Sequence, residues 1–102
     1  MAQGGVSKVE FLATMVQVGL VLYSDNNSWV TVAQFNRQWE RHVGELLDAD
    51  RLGFPNLTTF FEQMRATRLL RIIYVEDTML FRARRTFWFK IANIAEHLFH
   101  DE

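Results

Sequence analysis

Two helix-start signals of the same form, both in the first third of the chain, constrain the fold more than any other sequence feature. Ser7 is followed three residues later by Glu10, and Thr31 is followed three residues later by Gln34. In such a capping box the hydroxyl oxygen accepts the backbone N–H of the third helical residue, and the Glu or Gln side chain accepts the backbone N–H of the cap. Two apolar pairs have the spacing of a hydrophobic staple: Val6 with Phe11, and Val30 with Phe35. We therefore expect one helix to begin after each signal.

The first helix is expected to run from residue 8 to about residue 23, because the polar side chains of residues 24–27 compete with helical hydrogen bonds. At about 100° per residue, its polar residues Glu10, Thr14 and Gln17 form one narrow strip. The remaining surface is mainly apolar. We therefore expect this helix to be mostly buried.

The second helix is expected to cover residues 32–43 and to end at Gly44. Apolar residues recur at positions 32, 35, 39 and 43, which form a single stripe on a helix. The opposite, outward face carries Gln34, Arg37, Gln38 and Arg41.

The segment RLGFPNLTTFFEQM, residues 51–64, contains the single proline of the chain. After one short helical turn, Gly53 can adopt a positive φ angle, and Pro55 disfavours helix in the residue before it. Asn56 is expected to cap a third helix that ends near Ala66. The expected core face of that helix is Leu57, Phe60, Phe61 and Met64.

Residues 69–75 and 79–84 are rich in β-branched and aromatic residues and predict a β-hairpin with its turn at residues 76–78. The turn lacks an Asn-Gly or Asp-Gly pair, so its geometry stays open. Helical periodicity returns after Thr86, a candidate cap. This order predicts a mainly α fold with a small β-hairpin, namely a winged helix-turn-helix plus a C-terminal helix.

The composition fits one small domain. With 102 residues, 49% of them hydrophobic, the chain can build one core but not two, so we expect a flexible N-terminus at residues 1–6 and a single domain at residues 7–100. The net charge of −1 argues against a protein whose main task is to coat nucleic acid. The chain has no cysteine, which excludes disulfides and thiolate metal sites. The most apolar run, residues 11–23, is shorter than the roughly 18 residues of a membrane span, and a soluble intracellular protein is expected.

Residues 35–64, FNRQWERHVGELLDADRLGFPNLTTFFEQM, resemble the LOTUS domain, also called the OST-type helix-turn-helix. That family has an aromatic residue in the second helix, an aromatic-Gly pair at its end, a Leu-Gly-Phe loop and a leucine-rich third helix before a hairpin. The matching positions are Trp39, Val43 with Gly44, Leu52 with Gly53 and Phe54, then Leu57, Phe60 and Phe61. Tyrosine is common where Trp39 stands, and an aromatic residue is common where Val43 stands. The resemblance spans about residues 7–84, and the departures from the pattern keep an apolar side chain.

The helix expected after the hairpin makes the chain similar to the extended class of LOTUS domains. The resemblance implies a non-catalytic module that binds the C-terminal RecA-like lobe of a Vasa-type DEAD-box RNA helicase through the second and the extra helix. Such a module would recruit or stimulate the helicase in cytoplasmic germline ribonucleoprotein granules. Domains without the extra helix have been linked to RNA, including G-rich structures, and some relatives form a homodimer through the hairpin edge.

The resemblance and the helical periodicity together select candidate helicase-binding residues: Gln34, Arg37, Gln38, Arg41, Trp88, Phe89, Ala92, Glu96 and Phe99. The apolar residues of the last helix cover an arc of roughly 160°, wider than the ~100° that packing on the domain's own core requires. Two interpretations stay open at this point. Either a partner covers the excess, or the helix is buried against two neighbouring helices.

An alternative function is direct RNA binding by an arginine-rich hairpin. The candidate phosphate contacts are Arg68, Arg71, Arg82, Arg84 and Arg85, and Tyr74 or Phe81 could stack on bases. These arginines could equally protect the exposed hairpin edges against aggregation.

Catalysis has little support in the sequence. His42, His97 and His100 lack a recognisable ligand or nucleophile pattern. Asp48 and Asp50 alternate without the glycine and terminal glutamate of a calcium loop. We therefore expect no enzyme activity, no metal and no cofactor.

Overall fold

A computed structural model describes residues 7–100, with the side chain of His100 excepted. The elements follow in the order α1 (Lys8–Ser24), α2 (Val32–Val43), α3 (Leu57–Gln63), β1 (Leu70–Val75), β2 (Thr78–Ala83) and α4 (Phe87–His100). This confirms the mainly α fold with a small β-hairpin, while the finer assignment as a winged helix-turn-helix stays a prediction. The expected flexible segment, residues 1–6, and the staple that involves Val6 lie outside the described residues. None of the described helices is long and apolar enough to cross a membrane.

Both capping boxes form as predicted. The Ser7 hydroxyl accepts the backbone N–H of Glu10 at 3.1 Å, and the Glu10 carboxylate accepts that of Ser7 at 3.4 Å. At the second box, Thr31 accepts from the Gln34 backbone at 3.1 Å and the Gln34 side chain accepts from Thr31 at 2.9 Å. Gly44 ends α2 with a φ of 95°, a conformation that favours glycine.

The predicted end of α3 near Ala66 is wrong, because regular helix ends at Gln63. The start is as expected, with the Asn56 side chain accepting the Thr59 backbone N–H at 2.8 Å. Beyond Gln63 the backbone continues in tighter turns, and the Thr67 hydroxyl donates to the Met64 carbonyl at 2.6 Å. A side chain that competes for a backbone carbonyl in this way disfavours further helix, and the chain turns towards β1.

The two strands pair antiparallel, from Leu70 opposite Ala83 to Val75 opposite Thr78. Their connection has two residues, Glu76 and Asp77, rather than the three predicted. Both have positive φ, 49° and 68°, as a type I′ turn requires, and this turn matches the twist of the strands.

One aromatic cluster joins α2, α3 and β2. Phe61 stacks on Phe81 with ring centroids 4.3 Å apart, and Phe35 meets the Phe61 ring edge-on at 5.2 Å. All three rings are fully buried. The outer edge of β2 is also fixed, because Val30 and Phe81 exchange two backbone hydrogen bonds of 2.9 and 3.0 Å. The hairpin is therefore held to the helices by side chains and by backbone.

The prediction that α1 is mostly buried is wrong for one of its faces. Val9 and Leu20 are 54% and 51% exposed, and Ala13 is also exposed. These residues align on one side of the helix. We call Val9, Ala13 and Leu20 the α1 stripe.

Helix α4 is anchored on α1 by a close approach at Gly19. A Cβ atom on Gly19 would overlap Cε1 of Phe87 and would lie 2.9 Å from Cη2 of Trp88. Phe87 is fully buried and Ile91 is buried, so one side of α4 belongs to the core. The other side faces outward, so neighbouring helices do not bury the whole apolar arc, and cover by a partner stays a prediction.

Replacing Gly19 with alanine should destabilise the protein. Alanine raises helix propensity by about 1 kcal/mol, but the added methyl group overlaps the Phe87 ring, and overpacking typically costs about 1 to 3 kcal/mol. We expect a net fall in the free energy of unfolding, measured by urea titration. The adjacent variant Leu20→Ala, at a half-exposed site, should change it by about 0.5 kcal/mol or less. A rise of about 1 kcal/mol in Gly19→Ala would contradict the close approach.

Candidate functional site

The outward face of α2 forms a small polar cleft. Gln34, Arg37, Gln38 and Arg41 line it together with Asp25, Trp29 and Val30, and its volume is about 200 Å³. Gln34, Arg37 and Arg41 are exposed. The structure thus brings together the four candidate residues of the second helix.

Gln38 was predicted to face outward, and that prediction is wrong, since its side chain is only 8% exposed. Its Nε2 donates to Oδ2 of Asp25 at 2.9 Å, which ties α2 to the end of α1. Its Oε1 is buried without a hydrogen-bond partner among the described residues. Position 38 lies on the side of α2 that faces the α1–α2 connection, so the side chain is covered by its own domain.

The outer face of α4 is exposed, as the interpretation with a binding partner requires. Phe89 is 75% exposed and Phe99 59%, and Ala92 and Glu96 are exposed as well. Trp88 is held in place, because its ring lies 4.9 Å edge-on from Phe87 and 5.9 Å from Tyr23. Two large aromatic side chains therefore face solvent on a helix whose opposite side is fixed in the core.

Helix α1 packs against both α2 and α4. On one side, Ser24 is hydrogen bonded to His42 of α2, and Asp25 is hydrogen bonded to Gln38 of α2. On the other side, the Phe87 ring of α4 packs against Gly19. At about 100° per residue the α1 stripe lies between these two sides. This exposed stripe could not be predicted from the sequence, because apolar residues occur on nearly every side of α1.

Four of the five candidate RNA-binding arginines line one open cleft of about 780 Å³. We call it the arginine cleft; its charged residues are Arg71, Arg82, Arg84 and Arg85. Arg71 and Arg82 are directly opposite each other on the two strands. Arg68 is not part of this cleft and lies in the turn after α3 with a φ of 61°.

Neither predicted base-stacking residue is placed beside these arginines. Phe81 is fully buried against Phe61, so it cannot stack on a base. Tyr74 points to the opposite face of the hairpin from Arg71, because side chains alternate along a strand. Its hydroxyl is hydrogen bonded to the Glu62 carboxylate.

The outer edge of β1 is the hairpin edge available for a second copy of the chain. Val30 already pairs with β2, whereas Ile73, Tyr74 and Val75 of β1 are exposed. A homodimer through the hairpin would therefore use β1, and this remains a prediction.

His42 and Ser24 form a contact that the sequence did not indicate. His42 Nε2 lies 3.0 Å from the Ser24 hydroxyl oxygen, but that hydroxyl donates to the Val21 carbonyl at 2.6 Å. Since the Ser24 hydroxyl donates its proton to the backbone, it accepts from His42 Nε2. The contact is therefore a hydrogen bond between α1 and α2. In the part of the chain that the structure describes, no group of three His, Asp or Glu side chains could hold a metal ion. Asp48 instead accepts the backbone N–H of Asp50 at 3.0 Å within a turn.

Replacing Gln38 with leucine should leave stability unchanged or raise it. The variant loses one hydrogen bond, worth about 0.5 to 1.5 kcal/mol, but removes a buried unpaired oxygen whose desolvation costs about 1 to 3 kcal/mol. Asp25 is exposed and can be hydrated instead. The comparison variant Asp25→Ala, which leaves both polar atoms of Gln38 without a protein partner, should lower the free energy of unfolding by about 1 kcal/mol. A fall of more than about 2 kcal/mol in Gln38→Leu would show that Oε1 is satisfied.

Stability should depend on Tyr74 below about pH 10 and lose that dependence above it. The hydrogen bond to Glu62 raises the pKa of Tyr74 above its ordinary value, and partial burial and the Glu62 charge raise it further. A raised pKa means that the folded state favours the neutral phenol, so the stabilisation is present below about pH 10 and is lost as pH rises through the folded pKa. We expect the stability difference between the natural chain and Tyr74→Phe to be constant from about pH 7 to 9 and to shrink in more alkaline solution. A difference that does not change with pH would contradict the Glu62 contact.

Comparison with models of known protein families, with curated proteins and with solved structures finds no match to this chain. The resemblance of residues 35–64 to LOTUS domains therefore stays a prediction.

Proposed function

We propose that the protein is a non-catalytic protein-interaction module whose docking surface combines the outer face of α4, the α1 stripe and the polar cleft of α2. The observation that supports this most strongly is the exposure of Phe89 and Phe99 on a helix anchored by Phe87. Large exposed apolar areas on small soluble proteins commonly mark interaction sites.

The surface has the composition of a protein interface. The apolar α1 stripe lies between the exposed aromatic residues of α4 on one side and the arginines of the α2 cleft on the other. Interfaces are enriched in aromatic residues and arginine, and buried aromatic anchors supply most of the binding energy. Since α4 is already ordered by its inner side, binding would not have to order the helix first.

The partner in this proposal is the C-terminal RecA-like lobe of a Vasa-type DEAD-box RNA helicase. The resemblance to extended LOTUS domains supports it, because that class uses the second helix and the extra helix. Arg37 and Arg41 are exposed at the α2 cleft and could form bidentate contacts with carboxylates. Binding to one lobe would change the open and closed populations of the helicase if it favoured one of them. The module would thus recruit or stimulate the helicase in cytoplasmic germ granules.

Deleting α4 does not test this proposal. Removal of residues 86–102 would take Phe87 and Ile91 out of the core as well as Phe89 out of the surface. A truncated chain would therefore lose binding through unfolding. Point variants on the outer face of α4 separate the two effects.

Phe89→Asp should strongly weaken binding to the isolated helicase lobe, measured by isothermal titration calorimetry, without lowering the melting temperature. Loss of a central aromatic anchor typically costs about 2 kcal/mol or more, roughly a thirtyfold change in Kd. Position 89 is exposed in the first turn of α4, where an acidic residue is favourable.

The control is Val75→Asp, at an apolar and half-exposed site at the end of the hairpin. This variant should bind normally. Unchanged binding by Phe89→Asp, or equal loss in both variants, would contradict the assignment of the docking surface to α4.

Direct binding of G-rich RNA through the arginines is the competing function. The arginine cleft favours it, since four guanidinium groups line one site. The buried Phe81 and the oppositely placed Tyr74 disfavour it, because no predicted stacking residue faces the same ligand. Such binding would rest on phosphate contacts and would weaken steeply as salt rises.

A further inference from the structure

The arginine cleft lies where the end of the hairpin meets the connection between α1 and α2. In the described part of the chain, its lining includes four arginines and no acidic side chain. The neighbouring Asp25 is hydrogen bonded to Gln38 on α2. The cleft thus concentrates positive charge on a chain whose net charge is −1.

The pairing of Arg71 with Arg82 is unfavourable unless something compensates it. The two residues are directly opposite on neighbouring strands, and like charges in that position destabilise a sheet. Trp29 supplies part of the compensation. Its ring lies 4.6 Å from the Arg82 guanidinium carbon and 5.8 Å from that of Arg71.

These cation–π contacts leave the arginines able to bind a ligand. An aromatic ring attracts the face of a guanidinium group, whereas the N–H donors point outward in the plane of the group. Trp29 therefore restrains both side chains without using the donors that grip an anion.

The backbone around the cleft is also fixed. The Asn27 side chain donates to the Ala83 carbonyl and accepts the Ala83 N–H, both at 2.9 Å. Asn26 and Asn27 have φ angles of 59° and 53°, a conformation that non-glycine residues adopt uncommonly. The Arg84 backbone N–H donates to the Leu69 carbonyl at 2.9 Å. Ala83 lies between Arg82 and Arg84, so its hydrogen bonds to Asn27 fix the backbone that carries these two arginines.

We propose that the arginine cleft binds a phosphomonoester dianion, carried as phosphoserine or phosphothreonine by a peptide segment. Clustered arginines with free bidentate donors are a common means of phosphopeptide recognition. The arginines are grouped as an opposed pair and a sequential pair, which suits one dense dianion better than the evenly spaced charges of a nucleic-acid strand.

Aromatic geometry also favours the peptide ligand over single-stranded RNA. Trp29 is engaged with Arg82, and the Tyr23 ring packs beside Trp88. Proteins that bind single strands normally offer free aromatic faces to the bases. The inference does not depend on helicase docking, because Phe89 is not part of this cleft.

The test is an NMR titration of the full chain with O-phosphoserine, following the Nε–Hε signals of the arginines. We expect saturable shifts at Arg71, Arg82, Arg84 and Arg85. Arg82→Gln and, separately, Arg84→Gln should weaken binding at least about tenfold, since each removes one charge-assisted contact, and the control Arg68→Gln should not change it. Binding should also weaken from pH 7.5 to pH 5.5, because the phosphomonoester loses its second charge near pH 6.

Three results would overturn the inference. The first is the absence of saturable shifts in a chain whose amide NMR spectrum shows that it is folded. The second is equal binding of sulfate at matched ionic strength, which would indicate a general anion effect. The third is tighter binding of a short single-stranded RNA than of O-phosphoserine at the same arginines, with no change between the two pH values, which would assign the cleft to RNA. The Phe89→Asp variant should bind O-phosphoserine normally. Failure of the helicase proposal would therefore not change the outcome of this titration.

Discussion

The contact between the Phe87 ring and the α1 backbone at Gly19 is the constraint on which the proposed docking surface depends. With no side chain at position 19, the ring approaches closer than any Cβ would allow. This approach buries Phe87 and places Trp88 against Tyr23. Because a helix fixed on one side has its opposite side turned outward, the same contact exposes Phe89. Anchoring of α4 and exposure of its aromatic residues are therefore two results of one packing arrangement.

Tyr23 connects the two surfaces that we propose for binding. Its ring packs beside Trp88 at the start of α4, and its hydroxyl donates to the Arg84 carbonyl at 3.5 Å, next to the arginine cleft. The apolar surface of α1 and α4 and the charged cleft at the hairpin thus adjoin at the end of α1. Their chemistry nevertheless differs, since one presents aromatic carbon and the other guanidinium donors.

Features that depend on local hydrogen bonding could be predicted from the sequence. Both capping boxes, the cap at Asn56, the end of α2 at Gly44, the positive φ of Gly53 and the hairpin are confirmed. Each is set by residues only a few positions apart, so spacing along the chain contains the necessary information.

Features that depend on distant residues could not be predicted in the same way. The close approach at Gly19 requires a ring from the far end of the chain, and the burial of Gln38 follows from how α2 sits on the α1–α2 connection. The early end of α3 is instead a local feature, at which the Thr67 hydroxyl donates to the Met64 carbonyl three residues earlier. The α1 stripe was missed because a helix that is apolar on several sides gives no periodic signal for the side that faces solvent. For the candidate sites, helical periodicity located the exposed residues of α4, but only the tertiary structure grouped four arginines and excluded Arg68.

Native-state hydrogen exchange of α4 tests the central claim most directly. If Phe87 anchors this helix in the core, the backbone amides of residues 91–95 should open with the same free energy as those of residues 18–22 in α1, because both helices would unfold in one cooperative unit. Exchange of the α4 amides through a separate opening of much lower free energy, with α1 still protected, would contradict it.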